Sequence, residues 1–203
     1  MQANTPTDLG GFTAGGSLVL TNLGTAPSAS VTDACLTYVA DAAAGDAQLF
    51  ARNEAGEVAR LTGNTKVLGT QFDSTSTTAA NVTGLGIKVE AGKTYAFRAM
   101  CFIAADATGG FTIGLGDAGG TLTATTFKSS TLTYGSSFLV GETRFTTLGN
   151  TVGAAGATSY DVWITGSITV NAAGTLSVIF AQAPGGSGTS SVLTGSSLQI
   201  WQV

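Results

Sequence analysis

From Asn81 to the C-terminal Val203, apolar side chains return at every second position, and glycine interrupts them at short intervals. A period of two places alternate residues on opposite faces of a strand, and a helix cannot satisfy it. The pattern is clearest in Thr94 to Ile103, where Tyr95, Phe97, Ala99, Cys101 and Ile103 share one side and Thr94, Ala96, Arg98 and Met100 the other. Phe111, Ile113 and Leu115 obey it, as do Val162 with Ile164, Ile168 with Val170, Leu176 with Val178 and Phe180, and Leu198 with Ile200. Breaks fall at Thr108-Gly109-Gly110, Ala118-Gly119-Gly120, Ala172-Ala173-Gly174 and Pro184-Gly185-Gly186. About eight to ten strands in this span predict an all-β chain built around a jelly-roll-like β-sandwich. The turns at Val89 to Lys93 and Asn171 to Gly174 read as hairpin connections, with glycine supplying the positive φ.

Ahead of the sandwich, residues 1–30 form an extended arm rich in Gly, Thr, Ala and Asn, too poor in apolar surface to fold alone. Residues 31–63 hold a strand and a β-hairpin. The alanine-rich stretch 33–44 contains Leu36-Thr37-Tyr38-Val39, which reads at least as well as a strand as a helix. In the hairpin, Leu49 and Ala51 alternate with Phe50 and Arg52, the chain turns at Asn53-Glu54-Ala55-Gly56, and Val58 and Leu61 return. A two-stranded hairpin is marginal in isolation, so it must pack on something. The stretch 64–80, whose end from Ser74 to Ala80 is polar and uncharged, reads as a linker, leaving residues 81–203 as the sandwich domain.

Charge is scarce where strands are dense. Between Phe145 and Val203 the only charged side chain is Asp161. A solvated monomer carries roughly 25–35% charge on its surface, so these strands are expected to be covered by other copies or by a larger body. Eight Lys and Arg stand against twelve Asp and Glu. The cations are scattered singly, without the basic stripe that displaces counterions from phosphates, so no nucleic-acid partner is expected. No apolar run approaches the roughly 18–20 residues of a membrane-spanning helix. The N-terminus lacks a basic stretch before its short Leu18–Leu20 cluster and does not resemble a secretory signal, so a cytoplasmic site of synthesis is expected. Cys35 and Cys101 each lie in a strand-like run and are expected to be buried free thiols.

The chain has no histidine. That removes Ser-His-Asp and Cys-His couples, imidazole bases and His-based zinc sites, and no enzyme activity, cofactor or metal is expected. A two-carboxylate glycosidase needs only Asp and Glu, for which Asp106, Asp117, Glu142 and Asp161 are the candidates. Each sits beside glycine or in a turn, where a surface carboxylate is the simpler reading. Asp106 and Asp117 bracket the Phe111 strand, and a calcium site between them would want several more oxygen ligands. Gly114-Leu115-Gly116-Asp117-Ala118-Gly119 lacks the helix and lysine of a nucleotide loop, and Asn81-Val82-Thr83 is a glycosylation acceptor pattern without a secretory context.

Trp163 and Trp201 fall out of phase with their apolar neighbours and point away from the core. With Tyr160 they are candidates either for stacking on sugar rings or for burial against a neighbouring subunit, where aromatics are enriched. The charge-poor strands favour the interface. Candidate interface residues are Leu9, Phe12, Leu18, Leu20, Leu49, Phe50, Val58, Leu61, Trp163 and Trp201. Arg98 and Arg144 are rare cations that either pair with Glu90, Glu142 or Asp161 of another subunit or stay solvated over an apolar stem.

The hairpin string, with Leu49-Phe50 before the turn Asn53-Glu54-Ala55-Gly56-Glu57 and Leu61-Thr62 after it, resembles a pattern in virion proteins of tailed bacteriophages. Residues Ala173 to Gln182 and Val192 to Leu198 are similar to the closing strands of β domains in the same class. Together these cover about a fifth of the chain. The resemblance implies a phage structural protein on the capsid exterior, assembled in the host cytoplasm, with itself as homotrimer and the major capsid protein as partners. As the chain is short for a tail fibre and has no repetitive shaft, a capsid decoration or cement protein is favoured over a fibre or receptor-binding domain that recognises host polysaccharide.

Overall fold

Tyr95, Phe97, Ala99, Cys101 and Ile103 are all buried along one side of a single long strand, because each second residue of an extended chain returns to the same face. The computed structural model describes residues 36–41, 47–52, 55, 58–60, 64–135 and 138–203. They contain fifteen strands and no helix. The chain divides into two compact units, Met1–Thr62 and Gly63–Val203.

The first unit holds β1 (Leu36–Asp41), β2 (Ala47–Arg52) and β3 (Val58–Arg60), an antiparallel sheet in the order β1-β2-β3. The hairpin is present, with Phe50 opposite Arg60 and Arg52 opposite Val58. Its partner is the stretch that read as either helix or strand: β1 pairs with β2 along its length, and Tyr38 stacks on Phe50 with ring centroids 5.6 Å apart. A third strand thus supplies the packing that two strands alone lack. Leu9, Phe12, Leu18, Leu20, Cys35 and Leu61 lie outside the described residues.

The second unit contains β4 (Asn64–Val67), β5 (Phe72–Ser74), β6 (Ala80–Val89), β7 (Thr94–Ala104), β8 (Phe111–Asp117), β9 (Thr123–Gly135), β10 (Phe138–Phe145) and β11 (Thr151–Ala154). It continues with β12 (Ser159–Ala172), β13 (Gly174–Gln182), β14 (Ser190–Val192) and β15 (Ser197–Gln202). Eight consecutive strands, β6 to β13, have jelly-roll topology. One sheet runs β6-β13-β8-β11 and the other β7-β12-β9-β10, the interleaved order that two Greek keys produce. The remaining four strands extend the second sheet beyond β7. β14 and β15 both pair with β7, β5 lies outside β14, and β4 lies outside β15.

Two sequence expectations change here. The stretch 64–80 is not simply a linker, since it carries β4 and β5, which pair with the last two strands of the chain. The turns after β6 and after β12 are not hairpins, because each passes from one sheet to the other. Gly92 does adopt the left-handed conformation, at φ 74°, whereas Gly174 is not among the positive-φ glycines. Leu122 crowds Gly174 instead, and a Cβ there would meet its backbone nitrogen at 2.7 Å.

The core lies between the sheets. Phe111 and Phe180 stack at 6.0 Å, Tyr160 meets the Phe111 edge at 5.0 Å, and Phe97 stacks on Phe127 at 5.7 Å. Around them sit Leu85, Ile87, Ile103, Ile113, Ile164, Ile168, Leu176, Leu198 and Ile200. At Gly166 the strands come so close that a Cβ would lie 2.0 Å from the Lys128 carbonyl oxygen and 2.7 Å from Phe97 Cζ. Cys101 is a buried free thiol, pushed up to about 12 by burial, so no reactive thiolate forms there at neutral pH.

Candidate functional site: the outer face of the larger sheet

In the second half of β9 the usual arrangement is inverted. Its inward side chains are Ser129, Thr131 and Thr133, all buried, while Leu132 and Tyr134 point outward. Sheet register sets what surrounds them. Leu132 lies opposite Trp163 on β12 and Glu142 on β10, and Trp163 lies opposite Met100 on β7. In the next row, Tyr134 is flanked by Asp161 and Leu139, and Asp161 is followed by Phe102. Directly opposed residues of an antiparallel pair share a face. Met100, Trp163, Leu132, Tyr134 and Leu139 therefore make one apolar belt across four strands.

The belt is open. Trp163 and Tyr134 are each 37% exposed and Leu139 is 49% exposed. Leu132, Tyr134, Gly135, Leu139, Asp161, Trp163 and Thr165 line a depression of about 790 Å³. Charge is sparse there: Asp161 stands beside Trp163 and Tyr134, and Glu142 lies opposite Leu132. Arg144 is paired with Glu142 of its own strand at 3.1 Å, and Ser130 donates to the same carboxylate oxygen. Arg98 donates to the Gln199 amide oxygen at 2.8 Å instead of meeting a carboxylate.

Of the predicted aromatics, only Trp163 joins this belt. Trp201 also points outward, 46% exposed, but it pairs in register with Ala96, about 16 Å from Trp163 by strand spacing and rise. Tyr160 is a correction: it is 2% exposed, packs on Phe111 and accepts a hydrogen bond from the Ala157 amide, so no sugar can stack on it. In the first unit, Leu49 and Phe50 are half-buried, and Val58 lies in β3. Tyr134, Leu132, Leu139 and Met100 were not anticipated, and the signal for two of them was present in β9, whose apolar residues alternate on the side opposite its buried serines and threonines.

The carboxylates are not gathered. Asp106 and Asp117 sit at opposite ends of β8, about 20 Å apart, so they do not meet at one end of the sandwich. Asp106 accepts from the Ser187 and Gly188 amides and from Gln182 Nε2 and ties down the glycine-rich loop before β14. The Gly188 amide above all, with those of Thr108, Ser187 and Gly109, holds its carboxyl below the usual range. Asp117 caps the turn before β9 through the Leu122 amide, at 2.8 Å, and its other oxygen is buried without a partner. Asp117 also borders a second depression of about 760 Å³, whose wall includes five threonines with Leu122, Phe127 and Leu148. Asp161 and Glu142 share the outer face on strands separated by β9, with their backbones about 12 Å apart. Among the described residues no group of three or more His, Cys, Asp or Glu comes together, and no helix is long and apolar enough to cross a membrane.

No family model matches the chain, and no curated protein matches it. Among solved structures it is paired with the infectious bursal disease virus VP2 subviral particle at 11% identity, over 72% of this chain and 43% of that one, with a TM-score of 0.19. The Gt and Gx strain structures of infectious bursal disease virus give 10% and 12% identity over 80% of this chain, with TM-scores of 0.19 and 0.20. The chain spans about half the length of these proteins, 55% and 52% for the two strains. Likeness at that level carries no argument about what the chain does.

Proposed function

We propose that this chain is a structural protein of a virus particle, of the tailed-phage class its hairpin resembles, which coats the capsid exterior and stabilises it without chemistry. The observation that carries the reading is the open apolar belt of Trp163, Tyr134, Leu132 and Leu139 on a sheet face with few charges. A jelly roll by itself supports several unrelated roles, viral capsid and lectin domains among them, so the surface and not the fold has to decide.

Covering the exposed part of Trp163 gains about 2 kcal/mol at ~25 cal/mol per Å². Association costs at least about 4 kcal/mol in lost rigid-body freedom, so a belt of this size works through many copies acting together. Repetition is what a capsid lattice provides. The homotrimer and the capsid contacts of residues 1–30 rest on the resemblance alone.

A second reading has its own observation. Trp163 stands between Asp161 and Thr165 on β12, with Tyr134 opposite Asp161, an apolar platform edged by a carboxylate and a hydroxyl, which suits a host polysaccharide. One experiment tests both. The full chain is mixed with undecorated phage heads and sedimented, alongside Trp163→Ala. Co-sedimentation that the substitution reduces at least tenfold is the expected result. Indifference to heads, together with tryptophan fluorescence quenched by host polysaccharide, would transfer the belt to the glycan reading.

A further inference from the structure

We propose that β10 is completed by β10 of a second copy of this chain, paired antiparallel about a two-fold axis at Thr143. The inference rests on the assembly reading above and names the contact. β10 ends the second sheet and pairs only with β9 among the described strands, so the outward half of its backbone donors and acceptors has no ladder. A long bare edge of this kind is a template for another strand. The other edges of the second unit are protected. β5, β4 and β11 have three or four residues each, β4 carries Lys66, and β6 packs against β4 and β15.

Of the devices that block pairing, β10 carries only one irregularity near its start and the charges of Glu142 and Arg144. It has eight residues with no proline and no lysine, and consecutive Leu139 and Val140 are 49% and 42% exposed, so neither face is covered there. Its irregularity falls between Leu139 and Gly141, which leaves Gly141 to Phe145 in continuous register with β9. The midpoint of that regular stretch is Thr143. Pairing about it sets Glu142 opposite Arg144 of the second copy, and Arg144 opposite Glu142, so the strand is complementary in charge to itself. On the other face Gly141, beside which a Cβ would meet nothing within 4 Å, comes opposite the half-buried Phe145.

The test uses single charge reversals of the full chain, Glu142→Arg and Arg144→Glu, with mass read by light scattering at low salt. The wild type is expected at twice the 20.1 kDa of one chain or an even multiple of it. Each variant alone opposes like charges and should fall to half the wild-type mass. Mixed in equal amounts, the two variants oppose unlike charges at both positions and should recover the wild-type mass, a rescue that the pair within one strand cannot produce. A monomeric wild type, as capping of β10 by the first 62 residues would give, overturns the proposal. So do an odd-numbered assembly, variants with wild-type mass, and a mixture that fails to recover. Sedimentation with heads is read separately. An even-numbered assembly that ignores heads counts against the virion reading alone, and a monomer that still pellets with them counts against the strand pairing alone.

Discussion

On β12, Val162 and Ile164 are buried to 1% or less, and Trp163 between them is 37% exposed. The same strand thus serves two surfaces that obey different rules. Its inner face meets β13, β8 and β6 across a core of interlocked Phe, Ile and Leu, where shape is fixed by neighbours of the same chain. Its outer face carries an aromatic belt that nothing in the described residues covers. In β9 the contrast becomes a reversal, with hydroxyls inside and Leu132 and Tyr134 outside. Folding alone would favour the opposite placement, and the partner proposed above would account for the outer apolar residues.

The largest effect expected from breaking this comparison is on the inside. Phe97 is 1% exposed and stacks on Phe127, and the close approach of Gly166 leaves its ring no slack. Phe97→Ala should cost about 3–5 kcal/mol, because the cavity cannot collapse around a missing ring. Urea unfolding should show the midpoint fall with an unchanged slope. A loss under about 1 kcal/mol would mean the inner face is not the close-packed side.

Much of this division can be read from the sequence, in places where one residue's phase settles its side. The parity of Tyr95 through Ile103 names the buried face of β7, and the parity of Trp163 and Trp201 places both outside. Tyr160 has the same parity as Val162 and Ile164, so its burial follows from the rule that was applied to its neighbour. Pairing is not legible in this way. Asn64 meets Ile200 across more than half the chain, and no local pattern in 64–80 records a partner that distant. Nor does a glycine turn say whether the next strand joins the same sheet. The turns after β6 and β12 carry hairpin chemistry yet cross the sandwich, because only the closing of two sheets on a common core decides where a strand lands. Of the belt, Leu132 and Tyr134 leave a local trace in β9, whereas Met100 and Leu139 join through register alone.

On the outside, Leu132→Thr should separate stability from function. Leu132 is half-exposed, and threonine supplies a β-branched side chain suited to a strand. Unfolding should shift by no more than about 0.5 kcal/mol, in the range of surface substitutions. Sedimentation with heads should weaken severalfold. If stability drops by several kcal/mol instead, the outer face is part of the fold, and the two surfaces of β9 do not differ as argued.

The finest test lies one residue away. Thr131 is 1% exposed, and its hydroxyl is buried with no hydrogen-bond partner. Such a group costs about 1–3 kcal/mol of desolvation that nothing offsets. Thr131→Val removes the hydroxyl and retains the branched shape, so the variant should be more stable by up to about 1 kcal/mol, with head binding unchanged. The sign is the informative part. A gain would mean that β9 carries threonine inside at a cost, which fits a strand whose outward residues are set by a partner and whose inward residues only have to be small. A loss would show that the hydroxyl is satisfied by water between the sheets, and the inversion in β9 would then be a property of a wet core and no guide to the binding face.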